Sequence, residues 1–147
     1  MSSEPVIPPL LLETLRRAES CASAHRLPCY LVGGLLRDQL LGRPLSYLNA
    51  DLAVPRQALA LAQRLAAETG GAFVPLDEAA GCGRVVVARD GARIEVDVAD
   101  FRASTLETDL ALRDFTVNAI AVDLAAWLRA PERPGPLVDP LGGVQAL

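Results

Sequence analysis

The sequence predicts an α+β fold of the α/β type, with a small mixed or antiparallel sheet of about five strands and helices packed mainly on one side. Two observations carry this prediction. Short apolar or alternating runs typical of strands are interspersed with stretches that have helical apolar spacing. Glycine pairs and one Asp-Gly turn stand between these runs, as expected where strands meet helices or each other. The 147 residues are predicted to form a single domain, 1–147, with a flexible start at 1–8.

The first half of the chain is expected to alternate between helices and strands. The only histidine, His25, has no Cys or carboxylate partner at ligand spacing, so it is interpreted as a helix-end residue rather than a catalyst. The expected order is an amphipathic helix after Pro8-Pro9, a strand at 30–32, a glycine turn at 33–34, a helix ending at Gly42, a strand at 49–54, and a helix from Pro55 to the glycines at 70–71.

The second half is expected to begin with strands and to end with a helix. Asp90-Gly91 is a strong hairpin signal between two β runs, 84–88 and 93–101, and another strand is expected at 72–76 before a loop at 77–83. Helical apolar spacing runs from Leu106 to Leu128, so we expect a helix that starts near Thr105 and is broken by the prolines of 131–136.

Composition narrows the function classes. Hydrophobic residues make up 51% of the chain and aromatic residues only 4%, so the core must consist of Leu, Val and Ala. A net charge of -4 argues against a broad basic surface for long nucleic acid, and any contact with RNA is expected to be local or supplied by a partner. All 14 basic residues are arginines, which excludes a Walker-type lysine and Schiff-base chemistry.

The cysteines and the N-terminal residues indicate a cellular setting. Cys21, Cys29 and Cys82 have no metal-binding spacing and are odd in number, as expected for reduced thiols in a cytosol. Residues 1–17 place an acid before a short apolar run that contains prolines, a pattern of neither a secretory signal nor a membrane span. We therefore expect a cytoplasmic protein with no membrane partner.

The segment 29–54 carries the clearest functional pattern. Gly33-Gly34 let a backbone approach an anion closely, the following helix start offers N–H groups, and Arg37 lies one turn into that helix. This combination suits a phosphate. In the next strand Asn49 and Asp51 are two residues apart and project from the same face, where a metal that accompanies the phosphate could be held.

Five segments of the chain match a known family in the family's own order. They are LVGGLLRDQLLGRP (31–44), DLAV (51–54), DVADFR (97–102), LETDLALRDFTVNAIAVD (106–123) and DPLGG (139–143). Together they resemble the catalytic head domain of the class II tRNA CCA-adding enzymes and bacterial poly(A) polymerases, in the polymerase-β-like nucleotidyltransferase superfamily. One such motif would be weak, but five in order are strong. The resemblance implies nucleotidyl transfer from ATP or CTP to an RNA 3′ hydroxyl with two Mg²⁺ ions.

The resemblance also implies roles for individual residues. Asp38 would brace the glycine turn, and Asp97 is favoured as functional over its neighbour Glu95 because Asp97 keeps the family spacing to Phe101-Arg102. The alternative is that the glycines form a mere turn and the two acids a solvated strand face. The implied nucleotide-binding residues are Gly33, Gly34, Arg37, Arg113, Asp114 and Asn118; the catalytic residues are Asp51 and Asp97, which with Asn49 would hold the metals.

The departures from the family pattern define two hypotheses. The family has an aspartate where this chain has Asn49, and an amide offers one neutral oxygen where Mg²⁺ prefers a carboxylate, so metal binding should be weakened. The family's double arginine reads Leu112-Arg113, and the sequence stops where the family's helical neck and body begin. The chain is therefore either a minimal nucleotidyltransferase or a nucleotide-binding scaffold without transfer chemistry. An apolar end at 137–147 favours a homodimer or docking onto another subunit.

Overall fold

A computed structural model of the chain describes residues 7–42, 48–112, 120–131 and 136–139. The helices in these ranges are α1 (Pro9–Ala24), α2 (Gly34–Leu40), α3 (Ala58–Thr69), α4 (Leu106–Ala111) and α5 (Leu124–Arg129). The strands are β1 (Tyr30–Val32), β2 (Asn49–Val54), β3 (Ala72–Asp77), β4 (Cys82–Arg89), β5 (Ala92–Asp100), β6 (Ala121–Asp123) and β7 (Leu137–Val138). No helix in the described ranges is long and apolar enough to cross a membrane.

The described strands form one mixed sheet in the order β3-β4-β5-β2-β1-β6-β7. β2 and β5 pair in parallel, and the other five described pairings are antiparallel. The α+β class and the mixed sheet are confirmed, but the sheet has seven strands where about five were expected. Two of the seven, β6 and β7, have only three and two residues, which is too short for a readable period.

The continuous helix expected between Leu106 and Leu128 is wrong. Residues 121–123 form β6, which pairs with β1 and β7, and α5 begins directly after it. Ala121 and Val122 are both fully buried, one on each face of the sheet. A short run buried on both faces has no polar alternation that would distinguish it from a helix. The Asp123 side chain then accepts the Ala126 N–H and caps α5.

The helices lie mainly on one face of the sheet, as predicted. The main core packs α1 and α3, through residues such as Leu15 and Leu65, against one face of β2, β4 and β5. A smaller cluster on the opposite face contains Leu106 and Leu110 of α4, packed on Val32 of β1. Beyond that cluster, the same face carries Asn49 and Asp51 of β2, Arg84 of β4, and Glu95 and Asp97 of β5.

The third helix begins later than expected and is capped by a distant residue. It starts at Ala58, whereas Pro55 had been predicted to open it. The Asp100 carboxylate, at the end of β5, accepts the Ala58 N–H at 2.8 Å. The first N–H groups of a helix lack partners within the helix, and the N-cap residue Gln57 makes no side-chain hydrogen bond to them. Asp100 provides the cap instead. A cap 42 residues away cannot be read from local spacing.

The Asp90-Gly91 hairpin is confirmed. Both turn residues have positive φ, 53° for Asp90 and 81° for Gly91, as a two-residue type I′ turn requires. The turn joins β4 and β5 over eight paired positions, from Arg89 with Ala92 to Cys82 with Ala99. β4 therefore begins at Cys82, inside the segment that had been expected to be a loop.

Candidate nucleotide and metal site

Two parallel strands bring the predicted carboxylates side by side. In the register of β2 with β5, Asp51 pairs with Asp97, and Asn49 pairs with Glu95. Paired positions of neighbouring strands lie about 5 Å apart and project to the same face. The intervening residues, such as Leu52 and Val96, point into the main core, so the acids face away from it. The structure thus joins residues 46 positions apart in sequence at one place on the sheet.

Gly33 provides the room in which the Asp51 side chain lies. Val32 pairs with Asp51 across β1 and β2, so the glycine turn begins beside that carboxylate. A Cβ built on Gly33 would be 2.6 Å from Asp51 Oδ2, which is too close for any side chain. The backbone at Gly33 has φ 82° and ψ -153°, a conformation essentially restricted to glycine. The backbone conformation therefore requires glycine here, and any added side chain would also displace the Asp51 carboxylate.

Arg37 folds back over the second glycine of the turn. A Cβ on Gly34 would lie 3.4 Å from Arg37 Nη2, and Arg37 Nε donates to Asp38 Oδ1 at 3.3 Å. The Asp38 side chain is almost fully buried, whereas the Arg37 side chain is 28% exposed. Asp51 therefore lies against one glycine and Arg37 against the next, so the predicted phosphate turn and the predicted carboxylate pair are neighbours.

Hydrogen bonds of the Gln39 side chain connect α2, which follows the glycine turn, to α5 and the residues after it. The indole N–H of the buried Trp127 donates to Gln39 Oε1 at 2.9 Å. The same amide donates from Nε2 to the Pro131 carbonyl. Both hydrogen-bonding groups of the Gln39 side chain are used, which orients α2 relative to α5.

Arg84 of β4 is a residue of this face that sequence reasoning missed. Its Nε donates to Asp97 Oδ1 at 2.8 Å and its Nη2 donates to Asp97 Oδ2 at 3.1 Å, a bidentate pair. Glu95 Oε2 lies 3.6 Å from the same Nε. The hydrogen bonds and then the charge of Asp97 raise the pKa of the guanidinium above its usual range. The hairpin could have revealed this pair, because Arg84 and Asp97 each lie six residues from the Asp90-Gly91 turn.

Cys82 lies on the same face as Arg84, two residues earlier on β4. Partial burial raises the pKa of the Cys82 thiol, and the negative charges of Asp97 and Asp51 raise it further. The Cys82 thiol thus lies close enough to both carboxylates to be affected by their charge, while Arg84 acts in the opposite direction.

The residues present fit a magnesium ion through two carboxylates. No group of three or more His, Cys, Asp and Glu side chains in the described part of the chain is arranged to hold a metal alone. Mg²⁺ in phosphate-transfer sites commonly takes one or two carboxylates, with substrate phosphates and water as the remaining ligands. Asp51 and Asp97 provide such a pair, and Asn49 adds an amide oxygen donor on the same strand face.

Several predicted residues lie outside the described ranges. These are Arg113, Asp114 and Asn118, and their roles remain predictions. Of the C-terminal segment expected to mediate dimerisation, only residues 137–139 are described, and two of them form β7.

Comparisons with known proteins identify the family and the fold. A family model for the poly(A) polymerase head domain matches residues 29–147. The A-adding tRNA nucleotidyltransferase of Deinococcus radiodurans is 47% identical over 118 residues, covering 80% of this chain and 23% of that protein. The CC-adding tRNA nucleotidyltransferase of Geobacter sulfurreducens is 42% identical over 118 residues, covering 80% of this chain and 25% of that protein.

The same likeness holds in three dimensions. A solved structure of a CCA-adding enzyme in complex with ATP matches with a TM-score of 0.74 and 31% identity, covering 95% of this chain and 32% of that one. The Thermotoga maritima CCA-adding enzyme complexed with tRNA matches with a TM-score of 0.74 and 32% identity, over 95% of this chain and 31% of that one. The chain thus spans between about a quarter and a third of the length of these relatives.

Proposed function

Since the chain belongs to the poly(A) polymerase head-domain family, we propose that it binds ATP or another nucleoside triphosphate with Mg²⁺ and transfers a nucleotidyl group to an RNA 3′ end. The transfer would be of the kind made in tRNA CCA addition or polyadenylation. The observation that carries the proposal is the pairing of Asp51 with Asp97 on parallel strands, with Gly33 packed against Asp51.

Each part of the site has a task in this reaction. The 3′ oxygen forms a bond to the α-phosphorus of the nucleotide while the bond to the leaving pyrophosphate breaks. Negative charge must therefore be neutralised on both the attacking oxygen and the leaving pyrophosphate. Magnesium held at Asp51 and Asp97 would supply that neutralisation. The Gly33-Gly34 turn lets the triphosphate approach the backbone, and Arg37 adds a positive charge beside the turn.

A second candidate function is nucleotide binding without transfer. Two observations favour it: the neutral Asn49 stands where the family has an aspartate, and Arg84 already engages both oxygens of Asp97. Both lower the attraction of the site for divalent cations. In this second proposal the chain acts as a nucleotide-binding or scaffolding domain.

The RNA and the setting are also part of the proposal. A tRNA nucleotidyltransferase at 30% identity has been solved with a primer tRNA and an incoming ATP analogue, which supports a tRNA 3′ end as acceptor. Because the chain has a net charge of -4, we expect it to bind RNA only weakly by itself. A partner protein or a second copy of the chain would then provide further RNA contacts. All three cysteines are free thiols, which supports the reducing cytoplasm as the compartment.

The test is an incorporation assay with labelled ATP, Mg²⁺ or Mn²⁺, and a tRNA that lacks its 3′ end. The natural sequence is compared with Asp51→Asn, Asn49→Asp and a matched control, Asp90→Asn, whose hairpin turn accepts either residue. Transfer that Asp51→Asn abolishes and Asp90→Asn leaves intact establishes the enzyme. Transfer that appears only in Asn49→Asp establishes the second candidate.

Nucleotide binding is measured separately from transfer. A ligand that binds only the folded state must raise the melting temperature. If millimolar ATP with Mg²⁺ leaves the melting temperatures of the natural sequence and of Asn49→Asp unchanged, both candidate functions fail.

A further inference from the structure

Arg84 is held more firmly on the carboxylate face than any other described arginine there. It makes two hydrogen bonds to Asp97, and its side chain is 34% exposed. Arg93, on the same face of β5, reaches only Glu95, at 3.3 Å, and its side chain is 67% exposed. The two arginines therefore share Glu95 as a neighbour, but only Arg84 is described in contact with Asp97.

The bidentate contact uses the oxygens that a metal would need. Both carboxylate oxygens of Asp97 accept hydrogen bonds from the guanidinium, so a divalent cation must share or displace that group. Glu95 lies 3.6 Å from Arg84 Nε, within reach of a small rotation of the guanidinium. An alternative partner for the arginine is therefore already in place.

We propose that Arg84 is an internal counter-ion that competes with the divalent cation for Asp97, and that Glu95 receives the guanidinium when the cation takes Asp97. Arg84 is thus a positioning residue that sets the metal concentration at which the site is loaded. The inference rests on the proposed function in taking Asp51 and Asp97 as the metal ligands. It goes further by assigning Glu95 as the residue that receives the Arg84 guanidinium when a cation binds Asp97.

The charges give the direction and size of the effect. A guanidinium a few ångströms from the site repels a divalent cation, so its removal should tighten binding by on the order of tenfold. Arg84→Lys retains the charge but loses the planar two-pronged contact, so its affinity should lie between those of the natural sequence and Arg84→Gln. Arg93→Gln removes an equal charge from a more exposed position without freeing Asp97, so it should change the affinity by less than about threefold.

The test is Mn²⁺ binding to the folded protein without nucleotide, measured from the electron paramagnetic resonance signal of free Mn²⁺. The natural sequence is compared with Arg84→Gln, Arg84→Lys and the control Arg93→Gln, and melting curves without metal verify that each variant is folded. Asp51→Asn, alone and combined with Arg84→Gln, locates the ion, because binding at this site must weaken in both backgrounds. Should Arg84→Gln not fold, Arg84→Met replaces it in the same comparison.

Tighter Mn²⁺ binding in Arg84→Gln, absent in Arg93→Gln and lost again with Asp51→Asn, supports the inference. Unchanged or weaker binding in folded Arg84→Gln overturns it, as does an equal gain in Arg93→Gln or the absence of binding in both the natural sequence and Arg84→Gln. Tighter binding without nucleotidyl transfer in any variant would leave the inference standing and refute the proposed transferase. Transfer by the natural sequence with equal Mn²⁺ affinities would do the reverse.

Discussion

Replacing Gly33 by alanine tests the most restricted position of the site. The added Cβ would lie 2.6 Å from Asp51 Oδ2 and 3.2 Å from its Cγ, so the carboxylate must move. Gly33 also has φ 82° and ψ -153°, which alanine strongly disfavours. The substitution therefore combines a backbone penalty with a displaced ligand.

The two penalties can be sized separately. A non-glycine residue in this backbone region costs roughly 1–3 kcal/mol, and forcing an extra methyl group into an occupied space costs about 1–3 kcal/mol more. We expect Gly33→Ala to lower the free energy of unfolding by about 2–6 kcal/mol, or the melting temperature by on the order of 10 °C for a domain of this size. Mn²⁺ binding should fall as well, because Asp51 no longer holds its position.

The assay is urea unfolding followed by the fluorescence of the single, buried Trp127, with Mn²⁺ binding measured on the same samples. Gly70→Ala is the matched control, since Gly70 has φ 71° but no described atom within 4 Å of its built Cβ. The control should lose only about 1 kcal/mol. If Gly33→Ala is no more destabilised than Gly70→Ala, and binds Mn²⁺ like the natural sequence, the contact between the glycine turn and Asp51 is wrongly described.

Three further predictions concern a helix cap, a carboxylate between α1 and α3, and the reactivity of the thiols. Asp100→Ala removes the cap of α3 and should cost about 1–2 kcal/mol in urea unfolding, whereas Glu78→Ala should change stability by less than about 0.5 kcal/mol. The hydrogen bond from Cys21 and then that from Arg64 lower the pKa of Glu68, so the ionised side chain should stabilise the folded state above the usual carboxyl pKa of 4.5. Glu68→Gln should therefore be less stable than the natural sequence at pH 7, and the difference should disappear as the pH falls through the lowered pKa. A difference that is equal at pH 3 and pH 7 contradicts this prediction. Labelling with a thiol reagent at pH 8 should modify the half-buried Cys82 before Cys21, whose burial raises its pKa to about 11.

Local signals were sufficient for the elements that frame the site. The apolar run, paired glycines and helical spacing of residues 30–41 predicted β1, the turn and α2 with nearly the observed bounds. The Asp90-Gly91 turn and the alternation after it predicted the β4–β5 hairpin and the outward face of Glu95 and Asp97. Each of these features is written within about ten consecutive residues, where periodicity and turn chemistry act.

Long-range features were not readable in the same way. β6 depends on pairing with β1, some ninety residues earlier, and its three apolar and acidic residues continue the helical spacing on either side. The adjacency of Asp51 and Asp97 depends on the parallel pairing of β2 with β5, which spacing alone does not determine. Family resemblance supplied position 49, Asp51 and Asp97 as metal ligands, but it supplied no partner for Asp97. The Arg84 contact could have been found only from the register of the hairpin.

Asn49 and Arg84 both make the carboxylate face less negative. Asn49 withholds one negative charge from the metal site, and Arg84 adds one positive charge beside Asp97. Glu95 partly offsets both, because it adds a negative charge at the position paired with Asn49 and lies within 3.6 Å of Arg84. If Asp51 and Asp97 hold Mg²⁺ as proposed, we expect the affinity to depend on the balance among these three neighbouring side chains. In the proposed function, that balance would decide between transfer and binding alone, since a triphosphate and its metal neutralise each other where the reaction occurs.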